Sequence, residues 1–590
     1  MSNLGSFVWG IADVLRGPYK PHEYGNVILP MTILRRIDCV LEDTHEEVQK
    51  LVKKAEGAAE DLLAAMIQRK THLPFYNTSP WTMHKLLGDP EDLEQNLVQY
   101  ISGFSANLDV FQRFGFIQQI HRLAEKNLLF LVFQRFVAID LSPSKVSNAE
   151  MGDLYEHLIR TFNESSNESP GEHFTPRDAI RLMVELIFAG DDEALSKPGT
   201  IRTIYDPTAG TGGMLSIAEE HLIGTPEHPG MNPQAQLNLY GQEWNDQSYA
   251  ICKSDLLIKG QDASNIQLGD TLADDKFAGM TFDYCLSNPP YGTDWKASEA
   301  AVKDEIARLG EHSRFPAGHP AISDGQMLFL EHVVSKIRPA SQGGGRAGIV
   351  MNGSPLFNGD AESGPSNIRK WLLESDLVDA IVALPTDMFY NTGISTYIWV
   401  LDNAKPAERR GTVQLINATE FYTKMRKKLG DKGRELSPEN RAAILELYAE
   451  HTEGENSKIL RVDEFGYWAV TVERPLLGEN GEPILDKKGK PQPDKSIKAK
   501  DKIEKIPFTY GGNTDGDAGR KETVAAYMKA EVEPYLPGAW VDEKKTKIGY
   551  EIPFTRHFYK YVPPRPLAEI DAELKRVSAE IVAMLQEVTE

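Results

Sequence analysis

The chain has 590 residues, 41% of them hydrophobic, and a formal net charge of −22. That length exceeds a single core and predicts about three or four domains. The acidic balance excludes a protein that coats nucleic acid unaided, because such binding draws on Lys and Arg meeting phosphates. Basic residues gathered on one face, or carried by a partner, leave nucleic acid open as a ligand. No apolar run approaches the roughly 20 residues of a membrane span. The start, MSNLGSFVWGIADVLRG, lacks the basic flank and cleavage site of a signal peptide. Cys39, Cys252 and Cys285 are too few and too scattered for a disulfide framework or a zinc site. A reducing, cytoplasmic setting and no metal are expected.

Residues 1–165 read as a helical domain: apolar residues recur at three and four, and β signals are few. Residues 145–161 form one more amphipathic helix of this set. Arg35 and Arg36 could touch DNA, although nothing in their spacing singles them out. A polar Ser/Asn/Glu linker follows at 163–170, and then the pattern changes. GEHFTPRDAIRLMVELI puts Thr175 as a cap and Pro176 at the first position of a helix.

From there strands and helices alternate. Strands are expected at 202–205, 237–242, 265–268, 282–286, 345–351, 379–384 and 397–401, with helices at 214–222, 247–259 and 323–338. This alternation predicts an α/β fold, a doubly wound and mostly parallel sheet of Rossmann-like type with right-handed crossovers. Beyond 405 the pattern is mixed and charged. Residues 464–475 suggest one or two strands, and 478–505, rich in Gly, Pro, Asp and Lys, an exposed loop. In the last segment Leu567, Ile570, Leu574, Val577, Ile581, Met584 and Val588 follow a 3-4 heptad spacing. That seam packs on the chain's own body or on a partner helix.

The chemistry concentrates at strand ends, where open α/β sheets bind ligands. TFDYCLSNPPY, residues 281–291, is a buried strand stopped by two prolines. Asn288 offers a side-chain carbonyl and Pro289 a backbone carbonyl with no N–H of its own. Two acceptors converging on one point suit an exocyclic amino group, and Tyr291 supplies a face for a planar base. DPTAGTGG at 206–213 lies between a strand and a helix, so small residues admit a ligand to unpaired helix N–H groups. It is neither GxGxxG nor a P-loop. Asp206 would repel phosphates and attract an amino group, which favours a cationic cofactor bearing an amino acid. Glu243 ends the next strand, where an acid takes ribose hydroxyls, and Asp270 ends the third, where it could accept from an adenine amino group. Singly, each acid is a common loop residue; in series they describe a site for S-adenosyl-L-methionine.

DPTAGTGG, QEWN, GDTL and NPPY in this order resemble the amino-methyltransferases that act on nucleic acid. GEHFTPRD, DGQMLFLEH, FYNTGISTYIWVL, FGYWAVTVERP and KIGYEIPFTRHFYKYVPPRPLAEID extend the likeness nearly end to end. They narrow it to the modification (M) subunits of type I restriction–modification systems. Only 478–505 is longer than that family requires. The resemblance implies N6-adenine DNA methylation in a prokaryotic cytoplasm. It places cofactor contacts at Glu172, His173, Phe174, Thr175, Pro176, Asp206, Thr208, Ala209, Gly210, Gly212, Glu243 and Asp270, and the target base at Asn288, Pro289, Pro290 and Tyr291. It further implies double-stranded DNA and a specificity (S) subunit as partners, two M chains per S, with a restriction nuclease subunit possible in the complex.

The expected division is a helical domain at 1–165, a methyltransferase domain at 166–420, a mixed region at 421–562 and a docking helix at 563–590. Three other readings stay open on the residues alone: methylation of a protein glutamine amide, methylation of cytosine N4, and a silent interaction subunit that keeps the fold.

Overall fold

A computed structural model describes residues 10–589 apart from 56–58, 74, 148–149, 152–153, 155–157, 159–174, 225–228, 259–260, 391, 514–515 and 560–564. The linker at 163–170 and most of the helix expected at 145–161 therefore lie outside the described residues. The chain divides into two compact units, Met1–Ile552 and Pro553–Glu590.

In the first unit the N-terminal helices assemble around Gly25–Leu41, which is buried along nearly its whole length. Asp38 ties that helix to two others: it accepts from Met83 N at 3.0 Å and Tyr100 Oη at 2.8 Å on one oxygen, and from Arg35 at 2.8 Å on the other. Arg35 and Arg36 do not face DNA here. Both are buried, and they donate to the carbonyls of Ile139, Leu141 and Val146. A buried guanidinium needs such acceptors, so these arginines fasten the end of the helical region to its central helix.

The central sheet has nine strands. In chain order they are β1 (Ile201–Asp206), β2 (Gln236–Glu243), β3 (Ile266–Leu268), β4 (Tyr284–Ser287), β5 (Arg346–Asn352), β6 (Val378–Ala383), β7 (Thr396–Asp402), β8 (Thr412–Asn417) and, after a hairpin and a helix, Ser457–Arg461. The spatial order is β3-β2-β1-β4-β5-β7-β6-β8 with Ser457–Arg461 at the far edge. Seven strands run parallel; β7 and Ser457–Arg461 run against their neighbours. Both faces of β4–β7 are buried, which fits their continuous apolar runs. The sheet does not break at 420, because Ser457–Arg461 adds to β8 residue by residue. One continuous core joins the N-terminal helices to the sheet, from Ile33 and Phe133 through Ile204, Leu286 and Val350.

A separate three-stranded sheet centres on the fully buried strand Gly466–Glu473, between Ile503–Pro507 and Trp540–Tyr550. Residues 478–498 are largely exposed, as expected, while the end of that stretch, from Ile503, is an edge strand. The second unit contains Phe554–Phe558 and one helix, Leu567–Thr589. Leu567, Leu574, Val577, Ile581 and Met584 of the heptad seam are exposed, and Ile570 is half-buried. Among the described residues no helix is long and apolar enough to cross a membrane.

Candidate active site

The carboxyl ends of β1–β4 converge on one region, and the chain cross-stitches them. After β1, Asp206 is buried and accepts from Thr208 N at 2.9 Å and Thr208 Oγ1 at 3.2 Å. Thr208 in turn meets Ser287 Oγ of β4 at 2.9 Å and accepts from Asn288 N at 3.3 Å. The glycine turn then crosses to β2: Gly210 N donates to Glu243 Oε2 at 2.8 Å, and Ala209 N to the Gln242 carbonyl at 3.0 Å. Gly212 has φ +83°, and a Cβ there would meet Cys252 Sγ at 2.8 Å, so only glycine lets the following helix, Gly213–Ile223, start at this point.

Glu243 accepts a second backbone bond, from Asn245 N at 2.8 Å on its other oxygen. These bonds orient the carboxylate at the cleft wall. Asp270 accepts from Leu272 N at 2.9 Å and from Ser298 Oγ at 2.6 Å. A cleft of about 980 Å³ of empty space, partly open to solvent, is lined by Thr208, Glu243, Asp270, Asn288 and Pro290. Asp206, Ala209, Gly210 and Gly212 are not in that lining; they shape it from behind, through Thr208 and Glu243.

Asp206 is the electrostatic outlier. Burial pushes its carboxyl up to about 7, Glu243 adds to the rise, and the Thr208 hydrogen bonds oppose it. A buried acid near neutrality gains most from a cationic group brought beside it. The residues present therefore fit S-adenosyl-L-methionine: a glycine turn that admits a close ligand, an acid primed for positive charge, and acids at two further strand ends.

Asn288 sits immediately after β4, with Pro289 buried behind it. Its Nδ2 donates to Thr175 Oγ1 at 2.8 Å, and its Oδ1 accepts from Tyr291 Oη at 2.6 Å. Tyr291 packs against the main core rather than presenting an open face, and burial pushes its phenol up. Thr175 does not cap the helix expected after it. That helix begins at Arg177, preceded by an extended Pro176 with ψ 136°, and this leaves the threonine hydroxyl free to hold Asn288. Glu172, His173 and Phe174 lie outside the described residues.

Several lining residues escaped the sequence reading. Trp244 is 73% exposed beside Glu243, and Thr271, Trp295, Ser298 and Phe329 also line the cleft. Trp244 had a signal, since a tryptophan directly after a strand-end acid is costly to expose without a ligand to cover it. Trp295 and Ser298 had none, because only tertiary folding returns their segment to the cleft.

Residues 146–474 match the N-6 DNA methylase family model, and residues 4–136 match the HsdM N-terminal domain. The chain is 26% identical over 483 residues to the type I restriction enzyme MjaIX methylase subunit of Methanocaldococcus jannaschii, covering 78% of this chain and 79% of that protein. It is 26% identical over 439 residues to the MjaVIII methylase subunit of the same organism, covering 71% and 69%. Its fold is similar to the crystal structure of the type I restriction–modification system methyltransferase subunit from Streptococcus thermophilus. That likeness has a TM-score of 0.59 at 22% identity and covers 79% of this chain and 96% of that one. The chain belongs to the N-6 DNA methylase family, as a methylase subunit of the type I restriction–modification kind.

Proposed function

We propose that this chain transfers a methyl group from S-adenosyl-L-methionine to N6 of an adenine swung out of double-stranded DNA, at a sequence read by a separate specificity subunit. The observation that carries the reading is that Asn288, Glu243 and Asp270 border one cleft. An amino-group acceptor and two of the three strand-end acids assigned to the cofactor thus share a single space. The adenine leaves the helix because its amino group is otherwise held in pairing.

In this reading Asn288 Oδ1 and the Pro289 carbonyl accept the two N6 hydrogens. That draws the nitrogen lone pair out of conjugation and aims it along the line of attack. When bound, the cofactor supplies an electrophilic methyl on a sulfonium. The methylated nitrogen, still held by Asn288 and the Pro289 carbonyl, would release one of its protons to water at the open side of the cleft. Positioning and charge complementarity carry the rate. Glu243 and Asp270 would hold the cofactor at the cleft wall, with Asp206 contributing its charge from behind Thr208 and the glycine turn at 210–212 fixing Glu243 in place. Trp244, exposed beside Glu243, offers a flat apolar face to the cofactor's adenine, and Tyr291, once turned out from the core against which it packs, offers one to the target base.

The specificity subunit explains how a chain of net charge −22 can serve as a DNA enzyme. The exposed heptad face of Leu567–Thr589 is the element proposed to dock on it. The test is transfer of labelled methyl to unmodified DNA by this chain with and without that subunit, followed by nucleoside analysis. N6-methyladenine formed with the subunit present supports the reading. Cofactor binding without any DNA methylation would move the acceptor to a protein amide.

A further inference from the structure

A chain this acidic has one segment of the opposite sign rooted at its catalytic edge. After β8 leaves the carboxyl end of the sheet, β9 (Thr423–Leu429) and β10 (Lys432–Glu435) form an isolated two-stranded hairpin. Its sequence, TKMRKKLGDKGRE, carries Lys424, Arg426, Lys427, Lys428, Lys432 and Arg434 against Asp431 and Glu435. Lys424, Arg426, Lys427 and Lys428 are exposed, and none has an ion-pair partner among the described residues.

The hairpin is rigidly mounted. Lys432 is buried beside its turn, where Nζ donates to both oxygens of Asp178 at 3.0 Å and to the Met388 and Arg434 carbonyls. Arg434 lies 4.1 Å over the Tyr422 ring and donates to Thr386 Oγ1. Backbone bonds from Asp431 to the Tyr390 carbonyl, and from Gly433 to that of Asp387, fix the hairpin to the loop after β6. That loop leaves the same edge of the sheet as Asn288, since β4, β5, β6 and β8 run parallel. Asp178 also lies in the first turn of the helix just beyond Thr175, whose hydroxyl holds the Asn288 side chain.

The pairing is irregular in a telling place. Lys424 faces Arg434 and Leu429 faces Lys432, so the first strand has residues to spare between those pairs. The surplus bulges, carrying Arg426, Lys427 and Lys428 into solvent. Free cations on a flexible loop are ordinary surface. Four cations on a pinned hairpin beside the reaction edge of an acidic chain are preorganised for one kind of partner, a repeating polyanion.

We infer that the hairpin 423–435 is the chain's own DNA-backbone contact, seating phosphates of the duplex while Asn288 holds the extruded base. The inference rests on the DNA reading above and deepens it by naming where the acidic chain meets phosphate. Phosphate contacts position the duplex without reading its sequence, which fits a chain whose recognition is delegated.

The test measures anisotropy of a fluorescein-labelled, mixed-sequence duplex against salt, using the full chain alone and with its specificity subunit. One variant is R426A/K427A/K428A. The comparison variant, K487A/K488A/K490A, removes the same charge from the exposed stretch 478–498. Each phosphate contact contributes about 0.9 to the slope of log affinity against log salt. The hairpin variant is expected to flatten the slope by about 2–3 units and so to weaken binding about 100- to 1,000-fold near 0.1 M salt. The comparison variant should stay at the wild-type value, as should R426K/K427R/K428R. Unchanged calorimetric binding of S-adenosyl-L-methionine shows that the cleft is intact in each. Wild-type binding with equal slopes in the two alanine variants overturns the hairpin and leaves the DNA reading standing. No salt-dependent duplex binding by wild type in either form overturns both.

Discussion

Tyr291 Oη donates to Asn288 Oδ1 at 2.6 Å. That oxygen is the acceptor proposed for the target amino group, and the chain's own tyrosine occupies one of its two acceptor directions. The arrangement avoids leaving a polar acceptor unpaired beside an apolar core. It also means that an entering adenine exchanges one hydrogen bond for another while displacing the ring.

Two substitutions separate the roles of this pair. Asn288→Ala removes the acceptor and is expected to lower methyl transfer by at least about 100-fold, as loss of a preorganised polar group does. Tyr291→Phe keeps the ring and removes the competing hydroxyl, so turnover should stay near wild type. Tyr291→Ala also removes the stacking face, worth about 1–3 kcal/mol per base, and should weaken target binding by roughly 5–150-fold. Single-turnover methylation of substrate DNA checks all three. A Phe variant as impaired as the Ala variant would assign the function to the hydroxyl instead.

Asp206 sets a pH dependence on cofactor binding. Its carboxyl sits near 7 in the folded chain against an ordinary value of 3.8, mainly through burial. A cationic ligand prefers the ionised form. Affinity for S-adenosyl-L-methionine should therefore rise by up to about tenfold per pH unit below 7 and level off above it. The sign for stability is opposite. With the folded value raised, the free chain holds a proton that the unfolded chain lacks between about pH 4 and 7. Stability from this group is therefore lost as pH rises through that window. Calorimetry across pH 5.5–8 tests the first statement, and Asp206→Asn should flatten the profile while weakening binding throughout.

Asp38 offers a check on the helical region. It joins Arg35, Met83 and Tyr100 on three separate helices, and Arg35 is buried with it. Asp38→Ala leaves a buried guanidinium without its counter-charge, at a cost of about 3 kcal/mol. Amide exchange at Met83 and Leu86 should accelerate by about 100-fold, while cofactor affinity stays unchanged.

Deleting residues 566–590 removes the helix whose heptad face is exposed. The truncated chain should fold and bind cofactor as before. It should fail to co-elute with the specificity subunit in size-exclusion chromatography. Undiminished assembly would place the docking surface elsewhere.

The strands from 201 to 402 were legible because each is a short apolar run ending in a turn signal, and burial on both faces rewards that pattern wherever the strand is placed. The register of the sheet was not legible. Nothing in 457–461 (SKILR) announces that it would add to β8 at the sheet edge, since edge pairing depends on backbone groups that every sequence shares. The arginine pair at 35 and 36 looked like surface charge, and only the return of residues 139–146 supplies the carbonyls that bury it.

At the site, the sequence by itself determined the chemistry: a Pro-bounded asparagine after a strand, a glycine turn, and acids ending β1 and β2 and following β3. Residue type and local backbone decide these, because prolines stop strands and glycines alone reach left-handed turns. The tertiary structure decided the occupancy and the neighbours. Tyr291 turns inward onto Asn288, Thr175 becomes the asparagine's second anchor, Asp206 withdraws behind Thr208, and the 423–435 hairpin is pinned to the reaction edge by Lys432. Each of these depends on a contact between residues distant in sequence or on burial, and burial is what turns an ordinary aspartate into one that titrates near neutrality.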